Sequence, residues 1–259
     1  MLNLSSTIKT ELTSLLAEEI TWRECQHTGT SNHLYSGDSD RLSHELILRV
    51  NEVTHRIGVN RQRELSILRH LQGLNGVPKL LRASENWLLM PRYCEYETPS
   101  SQALLDIVAQ LQATQSPDDH KQLWRIQYES LWQQYADICP SLPNSKQLLS
   151  LLSQVQDGFN RLPELPRVLV HHDLHPGNVM QENGQLVLID WEYAGVGCAW
   201  VDLVALHRYW GVGAAQLQQL PLLTHVSIDD IEEGLLATQH WLLLLEELWA
   251  GVYLSRVAY

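Results

Sequence analysis

The sequence has few basic residues, few cysteines and no long apolar run. Its 259 residues include 18 Lys and Arg against 30 Asp and Glu, which gives a net charge of −12. This balance argues against a nucleic-acid partner, because phosphate backbones are bound through Lys and Arg. It is compatible with a cationic small molecule. The four cysteines are scattered without a close pair, which argues against a disulfide framework and a cysteine-based zinc site.

No apolar stretch reaches the ~18 residues that a membrane-spanning helix needs. The longest candidate, around Trp241–Leu245, is interrupted by Glu246 and Glu247. The first residues also lack the charged start, the apolar run and the small-residue cleavage site of a signal peptide. We therefore expect a cytoplasmic protein without a membrane-inserted segment. The oligomeric state has no signal in the sequence.

Charge and periodicity divide the chain into two parts. Residues 1–97 contain 12 acidic and 11 basic residues, whereas residues 98–259 contain 18 acidic and 7 basic residues. The first part reads as short strands with one crossing helix, and the second part is mostly helical. We predict an α+β fold of two packed lobes, an N-lobe over 1–97 and a helical C-lobe over 98–259. Helices are predicted over 5–18, 61–74, 102–112, 123–139, 146–160 and 228–257.

The densest chemical signal lies in residues 168–193. An apolar strand leads into Asp173, and Asn178 follows five residues later. A hairpin then ends on Asp190, and the Asn183-Gly184 pair at its tip suits a tight turn with positive φ at both central positions. Such a hairpin can bring Asn178 and Asp190 to the same place.

These residue types suit phosphoryl transfer. A loop carboxylate such as Asp173 can orient an acceptor hydroxyl and take its proton. Mg²⁺ prefers oxygen ligands, and Asn178 and Asp190 offer one neutral and one anionic oxygen. The protein then has only to position groups and neutralise charge. We therefore predict Asp173 as the catalytic base and Asn178 and Asp190 as magnesium ligands.

This segment resembles the catalytic and metal-binding segments of the aminoglycoside phosphotransferase and choline kinase superfamily, which has a protein-kinase-like fold. His171, Asp173, Asn178 and Asp190 stand at the positions of its His-x-Asp-x-x-x-x-Asn loop and its metal aspartate. The resemblance implies ATP and Mg²⁺ as cofactors, and it implies that His171 and Asp202 brace the catalytic loop. The alternative for the histidines of this loop is a zinc site, because imidazole clusters bind zinc.

The resemblance extends over residues 20–210 and implies a nucleotide site in the N-lobe. Arg49 stands where protein kinases carry the phosphate-pairing lysine, and Glu64 stands at the position of its helix partner. The alternative is a plain surface ion pair, which contributes little. The resemblance also implies a phosphate-covering loop around residues 29–32 and a hinge at residues 90–93 that holds adenine. The residues assigned to nucleotide binding are Gly29, Ser31, Asn32, Arg49, Glu64, Met90 and Tyr93.

The sequence Asp-Trp-Glu-Tyr at 190–193 resembles choline, ethanolamine and thiamine kinases. Its Glu192 is either a further metal contact or a carboxylate on the substrate side. The acidic C-lobe and its tryptophans favour an alcohol that carries a positive nitrogen, which aromatic rings hold by cation–π contact. The predicted substrate-pocket residues, each also compatible with core packing or a solvated helix face, are Trp191, Trp200, Trp241, Glu246 and Trp249.

The sequence thus predicts an ATP-dependent kinase that transfers the γ-phosphate to a hydroxyl of a cationic alcohol such as choline or thiamine. Two alternatives stay open. An aminoglycoside or sugar phosphotransferase would carry the same residues and differ only in its pocket. A kinase-like module that binds nucleotide without turnover would be compatible with the single glycine of the phosphate loop and with Arg49.

Overall fold

The computed structural model describes residues 4–25, 32–42, 44–51 and 56–257, with side chains as far as residue 253. The first helix, α1 (Ser6–Leu16), begins where the Ser5 hydroxyl accepts a hydrogen bond from the Ile8 backbone nitrogen. Leu12 and Leu16 form its buried stripe. This stripe packs on one face of the N-terminal sheet.

An antiparallel sheet of five strands follows, in the spatial order β1-β2-β3-β5-β4. In strand β3, Leu46 and Leu48 face α1 and are fully buried. Because side chains alternate along a strand, Arg49 lies on the opposite face. The strands of this sheet are β1 (Arg23–Glu24), β2 (Asn32–Ser39), β3 (His44–Asn51), β4 (Arg82–Ala83) and β5 (Trp87–Pro91).

Helix α2 (Arg61–His70) crosses the sheet between β3 and β4. Asn60 caps it by accepting a hydrogen bond from the Arg63 backbone nitrogen, and Glu64 lies in its first turn. Its apolar residues Leu65 and Leu68 belong to the largest hydrophobic core, which also contains residues of the C-terminal helices. The core is therefore continuous between the two lobes. The boundary at residues 97 and 98 stays a prediction.

The C-terminal part is mainly helical, and its long last helix packs against three others. The helix predicted over 123–139 is confirmed over Tyr128–Ile138 but is wrong as one continuous helix, because a separate short helix ends at Trp124. The chain leaves the helical conformation at Arg125, where it forms a parallel bridge with Val196, and the Ile126 nitrogen donates to the Val196 carbonyl. The helices are α3 (Ser101–Ala113), α4 (Lys121–Trp124), α5 (Tyr128–Ile138), α6 (Ser145–Asn160), α7 (Trp200–Trp210), α8 (Ala214–Leu217) and α9 (Ile228–Val257).

Short strands interrupt these helices where the chemical signal was found. Strand β7 (Val168–Val170) pairs with β10 (Gly195–Gly197), and β6 (Cys94–Glu95) pairs with the first strand of the hairpin β8 (Val179–Glu182) and β9 (Gln185–Leu188). Asn183 and Gly184 have φ of 52° and 80°, so the predicted hairpin turn is confirmed. No helix within the described residues combines the length and apolarity needed to cross a membrane.

Candidate active site

A cavity of about 1140 Å³ opens where the two lobes meet. Residues 57–60 before α2 form one wall, α5 and α9 form another, and the loops around β7 to β9 form the floor. Asp173, Asn178 and Asp190 all line this cavity. The structure therefore brings the three oxygen-bearing side chains of the predicted catalytic set to one place.

The catalytic loop is fixed by Asp202, a fully buried residue in the first turn of α7. Its Oδ2 accepts a hydrogen bond from the His171 backbone nitrogen at 2.7 Å, and its Oδ1 accepts one from the His172 nitrogen at 2.9 Å. Burial raises the pKa of Asp202 to about 6, against the lowering effect of these two N–H groups. This contact is of the bracing kind that the resemblance implies.

The imidazoles of His171 and His172 make hydrogen-bond contacts within the protein. His171 has no exposed surface, and its Nε2 donates to the Ile189 carbonyl oxygen at 3.0 Å. Burial lowers its pKa to about 4, so its ring is neutral at pH 7. His172 Nε2 lies 3.1 Å from the Tyr128 hydroxyl. Within the described part of the chain, no three His, Cys, Asp or Glu side chains are grouped as a metal site would require, so the zinc alternative has no ligand set there.

Asp173 and Asn178 are locked to each other. The Asn178 amide nitrogen donates to the Asp173 backbone oxygen at 2.9 Å and to its Oδ2 at 3.0 Å. The Asn178 backbone oxygen also accepts from the Ile189 nitrogen at 2.9 Å, which ties the loop to the residue before Asp190. The Asp173 side chain keeps about a third of its surface exposed. Burial raises its pKa, while His175 and Asn178 lower it.

Asp190 faces Arg49 across the lobe junction. Arg49 Nη1 lies 3.0 Å from Asp190 Oδ1, and Arg49 Nη2 lies 2.7 Å from Glu64 Oε2. The side chains of Arg49 and Glu64 are only 6% and 2% exposed, so this pair is not a surface ion pair. Burial raises the pKa of Asp190 to about 7, with Arg49 opposing and Glu192 adding repulsion.

The donor set fits a magnesium ion that arrives with nucleotide phosphates. Such an ion needs only one or two protein carboxylates, because phosphates and waters complete its octahedron. The Asn178 amide nitrogen is used by Asp173, which leaves its amide oxygen as the acceptor, and Asp190 uses only Oδ1 for Arg49. Arg49 Nε is buried and has no hydrogen-bond partner among the described residues, so it suits a further anionic ligand.

The backbone at the site is unusual at two positions. Asp190 has φ of 61° and His172 has φ of 66°, both in the left-handed region that residues with a Cβ rarely adopt. Asp190 stands directly after the hairpin and His172 directly before Asp173. Strained residues of this kind persist where the surroundings fix them, and here Arg49 and Asp202 provide the fixing contacts.

Glu192 has protein partners of its own. Its Oε2 lies 2.9 Å from Arg61 Nη1 and accepts a hydrogen bond from Asn32 Nδ2 at 3.1 Å. Arg61 was not among the predicted site residues, although its position three residues before Glu64 on a helix puts both side chains on one face. Asn32 lies at the start of β2, whereas Gly29 and Ser31 fall outside the described residues.

The predicted hinge residues lie at the end of β5 and in the segment that leads from β5 to β6. Met90 belongs to β5 and pairs with Ile47. The Tyr93 hydroxyl accepts a hydrogen bond from the Lys79 backbone nitrogen at 2.8 Å, and burial raises its pKa to about 12. Neither side chain lines the cavity. Their nucleotide role, which would act through the backbone, stays a prediction.

Two of the predicted pocket tryptophans lie in the core instead. Trp191 and Trp200 are fully buried, and their indole nitrogens donate to the carbonyls of Leu188 and Pro163, both at 2.7 Å. Neither lines the cavity, so the pocket assignment for them is wrong. Their large apolar rings are enclosed by elements distant in sequence, and a fully enclosed ring has no face left for a ligand.

Trp241, Glu246 and Trp249 of α9 do line the cavity. Trp241 is nearly enclosed and donates to the Val155 carbonyl, so only an edge of it can meet a ligand. Trp249 is half-buried. Glu246 is paired with Arg208 at 2.7 Å, so its charge is already compensated.

The sequence analysis also missed the aromatic residues on the opposite wall. Tyr128, Trp132 and Tyr135 of α5 line the cavity together with Tyr193. Positions 128, 132 and 135 follow the spacing of one helix face, which is the signal that could have found them. The cavity thus has aromatic side chains on both α5 and α9, and its catalytic carboxylate lies at the junction of the lobes.

The chain resembles known proteins in sequence and in structure. The sequence model of the phosphotransferase enzyme family matches residues 27–230. The chain belongs to the phosphotransferase enzyme family. Among curated members, a thiamine kinase of Salmonella gallinarum is 29% identical over 199 residues, which are 71% of this chain. The match spans 66% of that relative's length.

Solved structures of phosphotransferases share the architecture. A choline kinase of Streptococcus pneumoniae superimposes with a TM-score of 0.67 at 18% identity, covering 96% of this chain and 90% of that one. A spectinomycin phosphotransferase, in complex with ADP and spectinomycin, gives a TM-score of 0.60 at 16% identity and covers 98% and 88% of the two chains. The predicted two-lobed, protein-kinase-like α+β fold is confirmed.

Proposed function

We propose that this phosphotransferase is a kinase that uses ATP and magnesium to phosphorylate the hydroxyl of a small cationic alcohol, with thiamine as the first candidate. The observation that carries the proposal is the convergence of Asp173, Asn178 and Asp190 on the floor of a cavity with aromatic walls at the lobe junction. Arg49 lies beside this floor, in contact with Asp190. The thiamine kinase relative supports the choice of acceptor.

In this mechanism Asp173 holds the acceptor hydroxyl and takes its proton as the hydroxyl oxygen attacks the γ-phosphorus. The bond from that phosphorus to the bridging oxygen breaks, and ADP leaves. Burial raises the pKa of Asp173, which makes the carboxylate a better proton acceptor than a solvated one. Arg49 contributes a fixed positive charge beside the phosphates, because Glu64 holds its guanidinium in place.

Asn178 and Asp190 would hold the magnesium ion, which neutralises phosphate charge when bound. The hydrogen bond from Asn178 to Asp173 gives the two residues a joint task, since it sets the distance between the metal ligand and the base. The bond from Ile189 to Asn178 links both to Asp190. Positioning of this kind is the main protein contribution to phosphoryl transfer.

The cavity supports a ring-bearing cation as acceptor. Trp132, Tyr193 and Trp249 supply ring faces or edges that attract a positive heteroaromatic ring by stacking and cation–π contact. Since Glu246 is neutralised by Arg208, the aromatic rings rather than this carboxylate provide the attraction.

The test is ADP release from Mg·ATP with a panel of thiamine, choline, ethanolamine, aminoglycosides and simple sugars. We expect turnover with thiamine, and choline at most weakly. Asp173→Asn should abolish turnover and keep nucleotide affinity, whereas Asp190→Asn should weaken Mg·ATP binding itself. Turnover only with aminoglycosides or sugars would replace the acceptor assignment. Magnesium-dependent ATP binding without any phosphorylated product would favour a binding module.

A further inference from the structure

A single arginine joins three separate pieces of the nucleotide site. Arg61 Nη1 lies 2.9 Å from Glu192 Oε2 and 3.1 Å from Glu64 Oε2. Arg61 Nη2 donates to Asn32 Oδ1 at 2.8 Å. Asn32 begins the strand after the predicted phosphate loop, and Glu192 follows the metal-binding aspartate by two residues. The guanidinium of this α2 residue therefore contacts both the N-lobe sheet and the C-lobe segment that follows the β8–β9 hairpin.

The contacts around Arg61 form a closed set. Asn32 Nδ2 donates to Glu192 Oε2 at 3.1 Å, so Asn32, Arg61 and Glu192 each contact the other two. Glu192 is 1% exposed and Arg61 is 18% exposed. A planar guanidinium presents donors in a fixed fork, which suits simultaneous contact with a carboxylate and an amide oxygen.

The charges in this region explain why a second arginine is needed. Glu64, Asp190 and Glu192 place three carboxylates in a largely buried site. In the part of the chain that the structure describes, the cations that contact them are Arg49 and Arg61. Burial alone would raise the pKa of Glu64, but Arg49 and Arg61 together lower it. Without Arg61, a buried carboxylate at 192 would face incoming phosphates with its charge uncompensated.

We propose that Arg61 is a positioning residue for the nucleotide, and that Glu192 acts as its anchor rather than as a magnesium ligand. The inference rests on the proposed function, since it assigns the role of two residues in the same site. Glu192 holds the arginine, and the arginine holds Asn32 and Glu64. Asn32 and Glu64, which is the partner of Arg49, are thereby kept in register with Asp190.

The test is a double-mutant cycle with Arg61→Gln, Glu192→Gln and the double variant. We expect each single variant to raise the KM for ATP and the dissociation constant of a non-hydrolysable Mg·ATP analogue roughly tenfold. The double variant should bind ATP no more weakly than the weaker single variant, because Glu192 acts through Arg61 and has no further effect once Arg61 is replaced. The free Mg²⁺ concentration for half-maximal rate should stay that of the wild type, unlike in Asp190→Asn.

Two further variants guard the interpretation. Arg23→Gln breaks an exposed arginine–carboxylate pair, Arg23 with Asp38 at 2.6 Å, and should leave every constant unchanged. Asn32→Ala removes the third residue of the set formed with Arg61 and Glu192, and it should also raise the KM for ATP. This variant keeps the test valid if circular dichroism shows that Arg61→Gln does not fold.

The inference is overturned if Glu192→Gln raises the magnesium requirement as Asp190→Asn does, or if its effect multiplies with that of Arg61→Gln. It is also overturned if Glu192→Gln and Asn32→Ala both keep the wild-type KM for ATP. In these cases wild-type turnover still stands and the proposed function survives. A folded wild type that neither binds the Mg·ATP analogue nor turns over removes the proposed function, and the inference with it.

Discussion

Replacing His171 by glutamine should make the folded protein less sensitive to mild acid. The imidazole is fully buried, packs edge-on against Trp191 with ring centroids 4.9 Å apart, and donates to the Ile189 carbonyl. Burial lowers its pKa from 6.5 to about 4. The unfolded chain therefore binds more protons than the folded one between these values. The free energy of unfolding is retained above pH 6.5 and falls as the pH drops through this window.

The size of the effect follows from the two pKa values. Between pH 7 and pH 5 the imidazole becomes almost fully protonated in the unfolded chain and stays neutral in the folded one. Linkage then gives a loss of about 2 kcal/mol from this residue alone. Asp202, whose pKa is raised, acts in the opposite direction, but it is present in both proteins and largely cancels in the difference.

The measurement is urea unfolding followed by tryptophan fluorescence, at pH 7 and at pH 5, for wild type and His171→Gln. The variant should be less stable at pH 7, because the amide fills less of the site and packs less well against Trp191. Between the two pH values it should lose about 2 kcal/mol less than the wild type does. An equal loss in both proteins would refute the assignment of a buried, neutral His171.

Three other changes test separate parts of the structure. Asp202→Asn replaces an acceptor by a donor opposite one backbone N–H, so we expect kcat to fall roughly a hundredfold with a small change in the KM for ATP, measured by steady-state kinetics. Gly234→Ala adds a methyl group that overlaps the buried Trp200 ring, and it should lower the free energy of unfolding by about 1–3 kcal/mol in urea titrations. Trp132→Ala removes an aromatic wall of the cavity, so the KM for the acceptor should rise roughly fivefold or more while that for ATP stays constant. An unchanged kcat in Asp202→Asn would contradict the first expectation, and an unchanged urea midpoint in Gly234→Ala would contradict the second. Equal shifts in both KM values in Trp132→Ala would contradict the third.

Local chemistry made the hairpin and the helix caps predictable. Asn183-Gly184 suits a positive-φ turn in any context, and Asn60 and Ser5 cap helices through their own side chains. The break at Arg125 was not predictable, because it depends on pairing with Val196, seventy-one residues later in the sequence. Local sequence cannot predict secondary structure where a segment distant in the chain supplies the hydrogen bonds.

The fold divides the tryptophans into core residues and residues that border the cavity, and the sequence did not predict this division. Trp191 and Trp249 both lie near acidic residues in the sequence, but one is enclosed by the core and the other borders the cavity. Which side of a ring faces solvent depends on the packing of α6, α7 and α9. Arg61 was missed for a related reason, since its partner Glu192 lies in another lobe and only the fold joins them.

The left-handed backbone at Asp190 limits which amino acids can occupy that position. Glycine adopts such a conformation freely, and asparagine and aspartate adopt it at a lower cost than other residues, whereas β-branched and bulky residues are the most strained there. Of the three, only aspartate also carries a negative charge. Glutamate, which would preserve the charge, pays in backbone energy and places its carboxylate one methylene too far along. Engineering at position 190 is therefore restricted to aspartate if both the chain path and the anion are to be kept.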